Sequence, residues 1–177
     1  MDIDTLARRA GRFRWIQGAL FETLGSWLAD TPEPAVREFF GVQCQRHAWH
    51  AELWQQRQPA LPGIDPDALV VPAHDTWVDF VTALRQPTAT VERLAGITRV
   101  VLPRLIAAAN TFLADHDART DGPTVRVLTL IQRDDLDAWQ DGERFVLGLL
   151  VDAGAVARVG AHTARLEGLA TAVNPHA

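Results

Sequence analysis

Several residue types on which many enzymes depend are missing from this 177-residue chain. It has no tyrosine, and it has no lysine because all 17 of its basic residues are arginine. Without lysine, Schiff-base chemistry, a Walker phosphate loop and a kinase-type active site are excluded, and without tyrosine a tyrosyl acid or radical is excluded. No GxGxxG motif follows a strand pattern, so an ordinary dinucleotide-binding site is excluded as well.

Cysteine and concentrated positive charge are also scarce. Cys44 is the only cysteine, which rules out an intrachain disulfide, and no cationic segment followed by an apolar run opens the sequence. The formal net charge is −5 and the arginines are scattered, which argues against a nucleic-acid surface. The longest uninterrupted apolar run, Phe145 to Val151, is much shorter than the roughly 20 residues of a membrane-spanning helix. We therefore expect a cytoplasmic protein that binds neither nucleic acid nor membranes.

What the sequence does contain is helical periodicity. A hydrophobic content of 47% over this length is enough for one sizeable core, so residues 1–177 are expected to form a single all-α domain. Apolar residues recur at helical spacing, and no alternation typical of β-strands interrupts them. The predicted elements are helix one at 2–30, helix two ending at Arg57, a crossover at 58–87 with a short helix at 75–84, helix three at 88–116 with a kink at Pro103, helix four at 123–140, a break at Gly142 and a C-terminal helical extension at 143–173 in one or two pieces.

Polar side chains lie on the apolar stripe of predicted helix two. Gln43, His47 and His50 share this stripe with Phe40 and Trp54. Buried imidazoles and amides need hydrogen-bonding partners, so this pattern predicts a polar pocket inside the helical bundle. Gln17 lies in the middle of the apolar face of helix one, and counting outward from the turn near Pro32 places it at the height of His47. We expect the two side chains to meet.

Two helical hairpins joined by a long connection, together with the HAWHAELW motif in helix two, resemble the ferritin-like superfamily, in particular its small actinobacterial-type members. The resemblance covers roughly residues 3–140. It implies a ferritin-like four-helix bundle with a long crossover between helices two and three. Members that bind two irons use a glutamate on helix one, ExxH on helix two, a glutamate on helix three and ExxH on helix four.

The di-iron motif is degenerate in this chain. Gln17 stands where the first glutamate is expected, and helix three offers only Thr98 on its inner stripe, with Arg104 at its edge. Helix four supplies Asp135 but has Ala138 where the histidine ligand would be. On helix two, His47 or His50 would stand in the ExxH position, and the acid would be replaced by Cys44, Gln43 or His47 according to register. Because two iron ions need several anionic oxygen ligands, we expect no di-iron site.

The resulting hypothesis is a small-molecule enzyme or binding protein without a cofactor. His47 or His50 would act as a general base, and Asp135 would orient it or hold an amine. The pocket would be completed by Gln17, Gln43, Thr98 and Arg104. The first alternative is a non-haem iron oxidase or oxygenase that retains one metal ion on His47, His50 and Asp135, a ligand set that iron and zinc both accept.

The second alternative is a structural or partner-binding bundle, such as a homodimer that docks through its C-terminal segment. In that case the histidines would pair with Gln17 and Gln43, and Asp135 would neutralise Arg104. Other prominent side chains are assigned structural roles. Cys44 is expected to be an inert small hydrophobe, and His162 a satisfied core or interface histidine. Four tryptophans at helical spacing are expected to fill the core: Trp15, Trp49, Trp54 and Trp139.

Overall fold

The chain is all-helical in a computed structural model that describes residues 2–115 and 121–171. This confirms the predicted all-α class; the described part contains no β-strand beyond one isolated bridge between Leu61 and Ile64. The helices are α1 (Ile3–Trp27), α2 (Pro34–Arg57), a 3₁₀ turn (Pro66–Leu69), α3 (Thr76–Arg85), α4 (Thr90–Ala95), a π-helical segment (Gly96–Val101), α5 (Leu102–Ala114), α6 (Gly122–Leu149) and α7 (Ala153–Thr171). The predicted ends at His116 and at residue 173 lie outside the described residues.

Local sequence signals account for several helix ends. The Asp2 carboxylate accepts a hydrogen bond from the Thr5 backbone N–H at 2.8 Å, which caps α1. Pro34 is the first residue of α2. A backbone N–H at this position would have no acceptor within the helix, so proline can occupy it without the loss of a hydrogen bond. Asp121 accepts from the Thr124 N–H and caps α6. These caps fix where the long helices start, and therefore which side chains meet between them.

Two antiparallel pairings bring α1 and α6 against the two sides of α2. Gln17 meets His47 and the backbone of Phe21 meets Cys44, which sets the register of the α1–α2 hairpin. Along the α2–α6 pair, His50 contacts Asp134 near the middle. Nearer the ends of that pair, Arg57 contacts Asp121 and Phe39 contacts Phe145. The inner face of α2 is thus enclosed between α1 and α6.

The helix predicted at 88–116 is continuous over residues 90–114, from α4 to α5, but contains a π-helical segment. The segment Gly96–Val101 lies directly before Leu102 and Pro103. Proline cannot donate the backbone hydrogen bond that a regular helix requires, and a π turn is one way to accommodate the gap. The kink at Pro103 stays a prediction; the irregularity that the structure shows is this π-helical segment, which ends two residues before the proline.

The predicted break at Gly142 is wrong, because α6 continues without interruption to Leu149. Gly142 is buried inside the helix, and a Cβ at this position would lie 2.4 Å from the Oγ1 atom of Thr98. The glycine therefore permits close approach between α6 and the π-helical segment. The C-terminal extension accordingly begins at Ala153 and not at residue 143.

Helix α7 packs on its own chain. Val159 and Leu166 are buried against the main core, and the carboxylate of Glu167 pairs with Arg104 on α5. The predicted pairing of Arg104 with Asp135 is therefore wrong, since Arg104 points toward α7. The apolar face that was considered as a docking site for a second copy is used mainly within the fold.

Two of the predicted core tryptophans lie at the surface. Trp54 is fully buried and stacks on Phe13 with ring centroids 4.6 Å apart, as a core residue should. Trp49 and Trp139 are exposed, so their assignment to the core is wrong. Helical spacing placed them near the edge of the apolar stripe, where a small change in helix rotation decides between burial and exposure.

One helix of the described chain has the length and apolar character of a membrane span. It covers Thr90–Ala114, with a mean hydropathy of 1.3 in its most apolar window, and 44% of that window is buried inside the fold. A search for unbroken apolar runs overlooks it because arginines interrupt the stretch. A core helix passes the same test of composition, so this feature is weak evidence for a membrane.

Candidate metal centre

Two histidines from α2 and one aspartate from α6 form a buried cluster. One ligand atom from each of His47, His50 and Asp135 lies within 4.8 Å of the other two. The exposed fractions of these residues are 1%, 1% and 2%. His47 and His50 are three residues apart, so they share a face of α2, and their rings are perpendicular with centroids 5.8 Å apart.

The outer ring nitrogens of both histidines are already engaged. Nδ1 of His47 lies 2.5 Å from Oε1 of Gln17, as the register count between helices one and two predicted. Nε2 of His50 lies 3.1 Å from Oδ2 of Asp134. Both acceptors are oxygens, so each of these nitrogens carries the proton and donates it. The lone pairs of the two imidazoles are then on Nε2 of His47 and Nδ1 of His50.

Three buried polar atoms are consequently left without a hydrogen-bond partner. They are Nε2 of His47, Nδ1 of His50 and Oδ2 of Asp135. An unpartnered buried polar atom is rare and destabilising, and here three such atoms belong to the same cluster. Each carries an available lone pair, which is the property that a metal ligand needs.

The protonation states also suit a metal ion. The pKa of His47 is lowered to about 3, chiefly by burial and to a smaller extent by the neighbouring His50 and Arg46. Burial likewise lowers the pKa of His50, although the hydrogen bond to Asp134 opposes the shift. Both imidazoles are therefore neutral at physiological pH, which is the form that coordinates metals.

Asp135 responds to the same environment in the opposite way. Its pKa is raised to about 7, chiefly by burial and also by the charge of Asp134, while Arg46 opposes the shift. In the absence of a cation, this carboxyl group is thus close to half protonated at neutral pH. A divalent cation would favour its ionised form.

The four remaining residues that were predicted to line the pocket do not all lie near the cluster. Gln17 reaches the cluster, and Gln43 is buried on the same face of α2, one turn before His47. Thr98 does not reach it, because it contacts Gly142, which lies two helical turns, or roughly 10 Å, from Asp135 along α6. Arg104 is bound to Glu167 on α7 and also lies outside the cluster.

Asp134 was missed in the sequence, although it is adjacent to Asp135. On a helix, consecutive residues point about 100° apart, so only one of them was expected to face the core. The structure places Asp134 at the seam between α2 and α6, where it binds His50, while Arg46 donates to its backbone carbonyl at 3.5 Å. The signal that the sequence does contain is that Asp134 is a polar residue directly beside a buried polar residue.

Cys44 and His162 are separate from the cluster. The Sγ atom of Cys44 donates to the backbone carbonyl of Phe21 at 3.4 Å, and burial raises the pKa of its thiol, which is consistent with an unreactive side chain. His162 on α7 is partly buried near Gly96, and its Nε2 has no partner, so the prediction of a satisfied histidine is wrong. Nothing in the structure explains this unpaired nitrogen.

The cluster suits one metal ion and does not suit two. Two histidines and one carboxylate form the facial ligand set of mononuclear non-haem iron sites, and similar sets bind catalytic zinc. From α1, Gln17 offers the cluster a neutral amide and not a carboxylate. Along the helix over residues 90–114, Asn110 contacts Gln132 and Arg99 contacts Glu143, and Asp135 lies between these two contacts along α6. The segment 100–109, which faces that part of α6, carries no carboxylate. The anionic ligands for a second ion are therefore missing.

The cluster is enclosed by the helices. Two surface clefts, with volumes of about 380 and 490 Å³, are lined by residues of α3 and its neighbours, and neither is lined by His47, His50 or Asp135. A single ion fits such an enclosed site better than an organic ligand does. No protein-family model matches the chain, and no match was found among curated proteins or solved structures. The geometry of the cluster is therefore what supports a function for this protein.

Proposed function

We propose that this protein binds one divalent transition-metal ion through Nε2 of His47, Nδ1 of His50 and the carboxylate of Asp135, and that iron(II) is its natural metal. The observation that carries the proposal is a buried cluster in which one ligand atom from each of these three residues lies within 4.8 Å of the other two. Each of the three side chains also has a buried polar atom without a hydrogen-bond partner. Two ligands of one ion, each about 2.0–2.2 Å from the metal, are about 3–3.6 Å apart in tetrahedral or octahedral cis geometry, so the three side chains would draw closer together when an ion binds. Zinc also accepts this ligand set.

We further propose that the fold is a ferritin-like four-helix bundle. Its helices would be α1, α2, the continuous helix over residues 90–114, and α6, with residues 58–89 as the long crossover. Antiparallel contacts within α1–α2, α2–α6 and α5–α6 support this arrangement. The ligands would then come from the second and fourth helices of the bundle, as they do in part in the di-iron family.

Iron(II) bound in such a site would supply one-electron redox chemistry toward dioxygen or a small substrate, as in oxidases and oxygenases. The chain's own contribution is to fix the ligands. Gln17 and Asp134 each hold the protonated nitrogen of one histidine, so that the other nitrogen faces the cluster. Burial excludes bulk water and keeps both imidazoles neutral.

Metal content tests this proposal directly. Protein produced with supplemented iron, manganese and zinc is analysed for bound elements, alongside the variants His47→Gln and Asp135→Asn. We expect about one transition-metal ion per chain in the native protein. In either variant the bound metal content should be lower by roughly tenfold or more, because each substitution removes a ligand atom. Circular dichroism establishes that the variants keep their helices.

His162→Gln is the matched control, because it removes a histidine of similar chemistry from a different part of the fold. It should bind metal as the native protein does. If the native protein carries no metal after incubation with excess iron or zinc, or if His162→Gln loses as much metal as His47→Gln, the proposal is wrong.

A second candidate function is binding or turnover of a small molecule without a metal. The observation that favours it is the pKa of about 7 of Asp135, which makes this carboxyl an acid–base group suited to neutral pH. His47, with a pKa of about 3, would be too weak a base for that role. Native protein that proves metal-free, yet has an acid–base activity that Asp135→Asn abolishes, would favour this candidate over the first.

A further inference from the structure

Among the residues of the cluster and its immediate hydrogen-bonding partners, Asp134 is the carboxylate that reaches solvent. Its side chain is 23% exposed, whereas the side chain of His50, which it contacts, is 1% exposed. The Oδ2 atom of Asp134 is 3.1 Å from Nε2 of His50, and the next residue along α6 is Asp135. One short polar path therefore leads from the surface to the buried ligands.

A cation that approached from the α1 side of α2 would have to cross apolar core. This side of α2 is covered by α1, whose buried residues include Ala10, Leu20 and Leu24. A hydrated divalent ion is strongly disfavoured in such surroundings, because it would lose its water before gaining a ligand. At the α2–α6 seam the ion would meet a carboxylate first and could exchange water for oxygen there.

We infer that Asp134 is the uptake ligand of the metal centre. It binds the incoming divalent cation at the surface of the α2–α6 seam and passes it to His50 and Asp135, and it then holds His50 as a positioning residue. This inference rests on the proposed function. Arg46, which donates to the backbone carbonyl of Asp134, lies at the same seam and limits how strongly the carboxylate retains the ion.

Stopped-flow mixing of metal-free protein with Co²⁺ separates uptake from retention, since ligand-field absorption reports the ion inside the site. In Asp134→Asn the amide oxygen can still accept from His50, but the charge is gone. We expect the association rate to fall about tenfold, because electrostatic attraction of the cation is lost, while the dissociation rate changes less than threefold. Asp137→Asn is the matched control, because it removes the same charge from an exposed position one turn along α6.

Salt distinguishes attraction by charge from a change in the shape of the site. The difference in association rate between the native protein and Asp134→Asn should shrink as the ionic strength rises. Equal association rates in the native protein and both variants, or an effect of Asp134→Asn confined to dissociation, would overturn the uptake role. Failure of the metal site itself would look different, because the native protein would then show no Co²⁺ spectrum at all.

Discussion

At the residue scale, two adjacent aspartates behave differently because α6 turns them toward different surroundings. Asp135 is buried and its pKa is raised to about 7, while Asp134 lies at the seam and accepts a hydrogen bond from His50. The sequence identified Asp135, His47, His50 and Gln17 through their positions on apolar stripes. It could not identify Asp134, whose role depends on how α2 and α6 cross.

The buried carboxyl makes a specific contribution to the pH dependence of stability. Burial raises the pKa of Asp135 from 3.8 to about 7, so between these values the folded state holds a proton that the unfolded state has released. The contribution of this carboxyl group to the free energy of unfolding is fully present below about pH 4 and is lost as the pH rises through about 7. In metal-free protein, the difference in free energy of unfolding between Asp135→Asn and the native protein should therefore depend on pH. It should favour the variant by roughly 2–3 kcal/mol more at about pH 8.5 than at about pH 5.

Urea unfolding at the two pH values, in the presence of a chelator, measures this difference. Asp137→Asn serves as the control because it removes an exposed carboxyl group from the same helix, and the pH-dependent effect of Asp135→Asn is compared with it. If the free energies of unfolding of Asp135→Asn and of the native protein change with pH in the same way, the Asp135 carboxyl group is not held in a desolvated environment.

At the element scale, periodicity was sufficient for the helices but not for their irregularities. The short crossover helix predicted at 75–84 matches α3, and helices one and two match α1 and α2 within a few residues. Gly142 was interpreted as a helix end because glycine often terminates helices. Its actual role is to let the backbone of α6 approach Thr98, a contact between segments more than 40 residues apart that a local pattern does not reveal.

This interpretation of Gly142 predicts that Gly142→Ala destabilises the protein. The added Cβ would lie 2.4 Å from Oγ1 of Thr98 and 3.2 Å from the ring of Phe39, so α6 or the π-helical segment must shift. We expect a loss of about 1–3 kcal/mol in the free energy of unfolding, as for other overpacked cores. Thermal or urea unfolding measures it.

Gly160→Ala is the control, since Gly160 also lies within a helix but a Cβ added there would meet no heavy atom within 4 Å beyond its own helix backbone. The substitution should be neutral or stabilise the protein by up to about 1 kcal/mol, because alanine is the better helix former. If the two glycine substitutions have the same effect, close packing at Gly142 is not what requires the glycine there.

At the scale of the whole molecule, the arrangement of helices encloses the candidate site. The α1–α2 hairpin supplies the histidines and Gln17, and α6 supplies both aspartates from the far end of the chain. Burial of the cluster could be inferred from the apolar stripes, whereas its three unpartnered atoms depend on the exact relative placement of α1, α2 and α6. The position of α7 was not predictable, because its apolar face could have packed on its own chain or on another copy.

X-ray absorption spectroscopy of protein loaded with one equivalent of Zn²⁺ or Fe²⁺ tests the central claim most directly, because it reports the atoms bound to the ion. The predicted first shell contains two imidazole nitrogens and carboxylate oxygen, at about 2.0–2.2 Å for zinc, and Asp135→Asn should alter the oxygen component. A shell that contains sulfur from Cys44, or one that lacks imidazole scattering, would contradict binding by His47, His50 and Asp135.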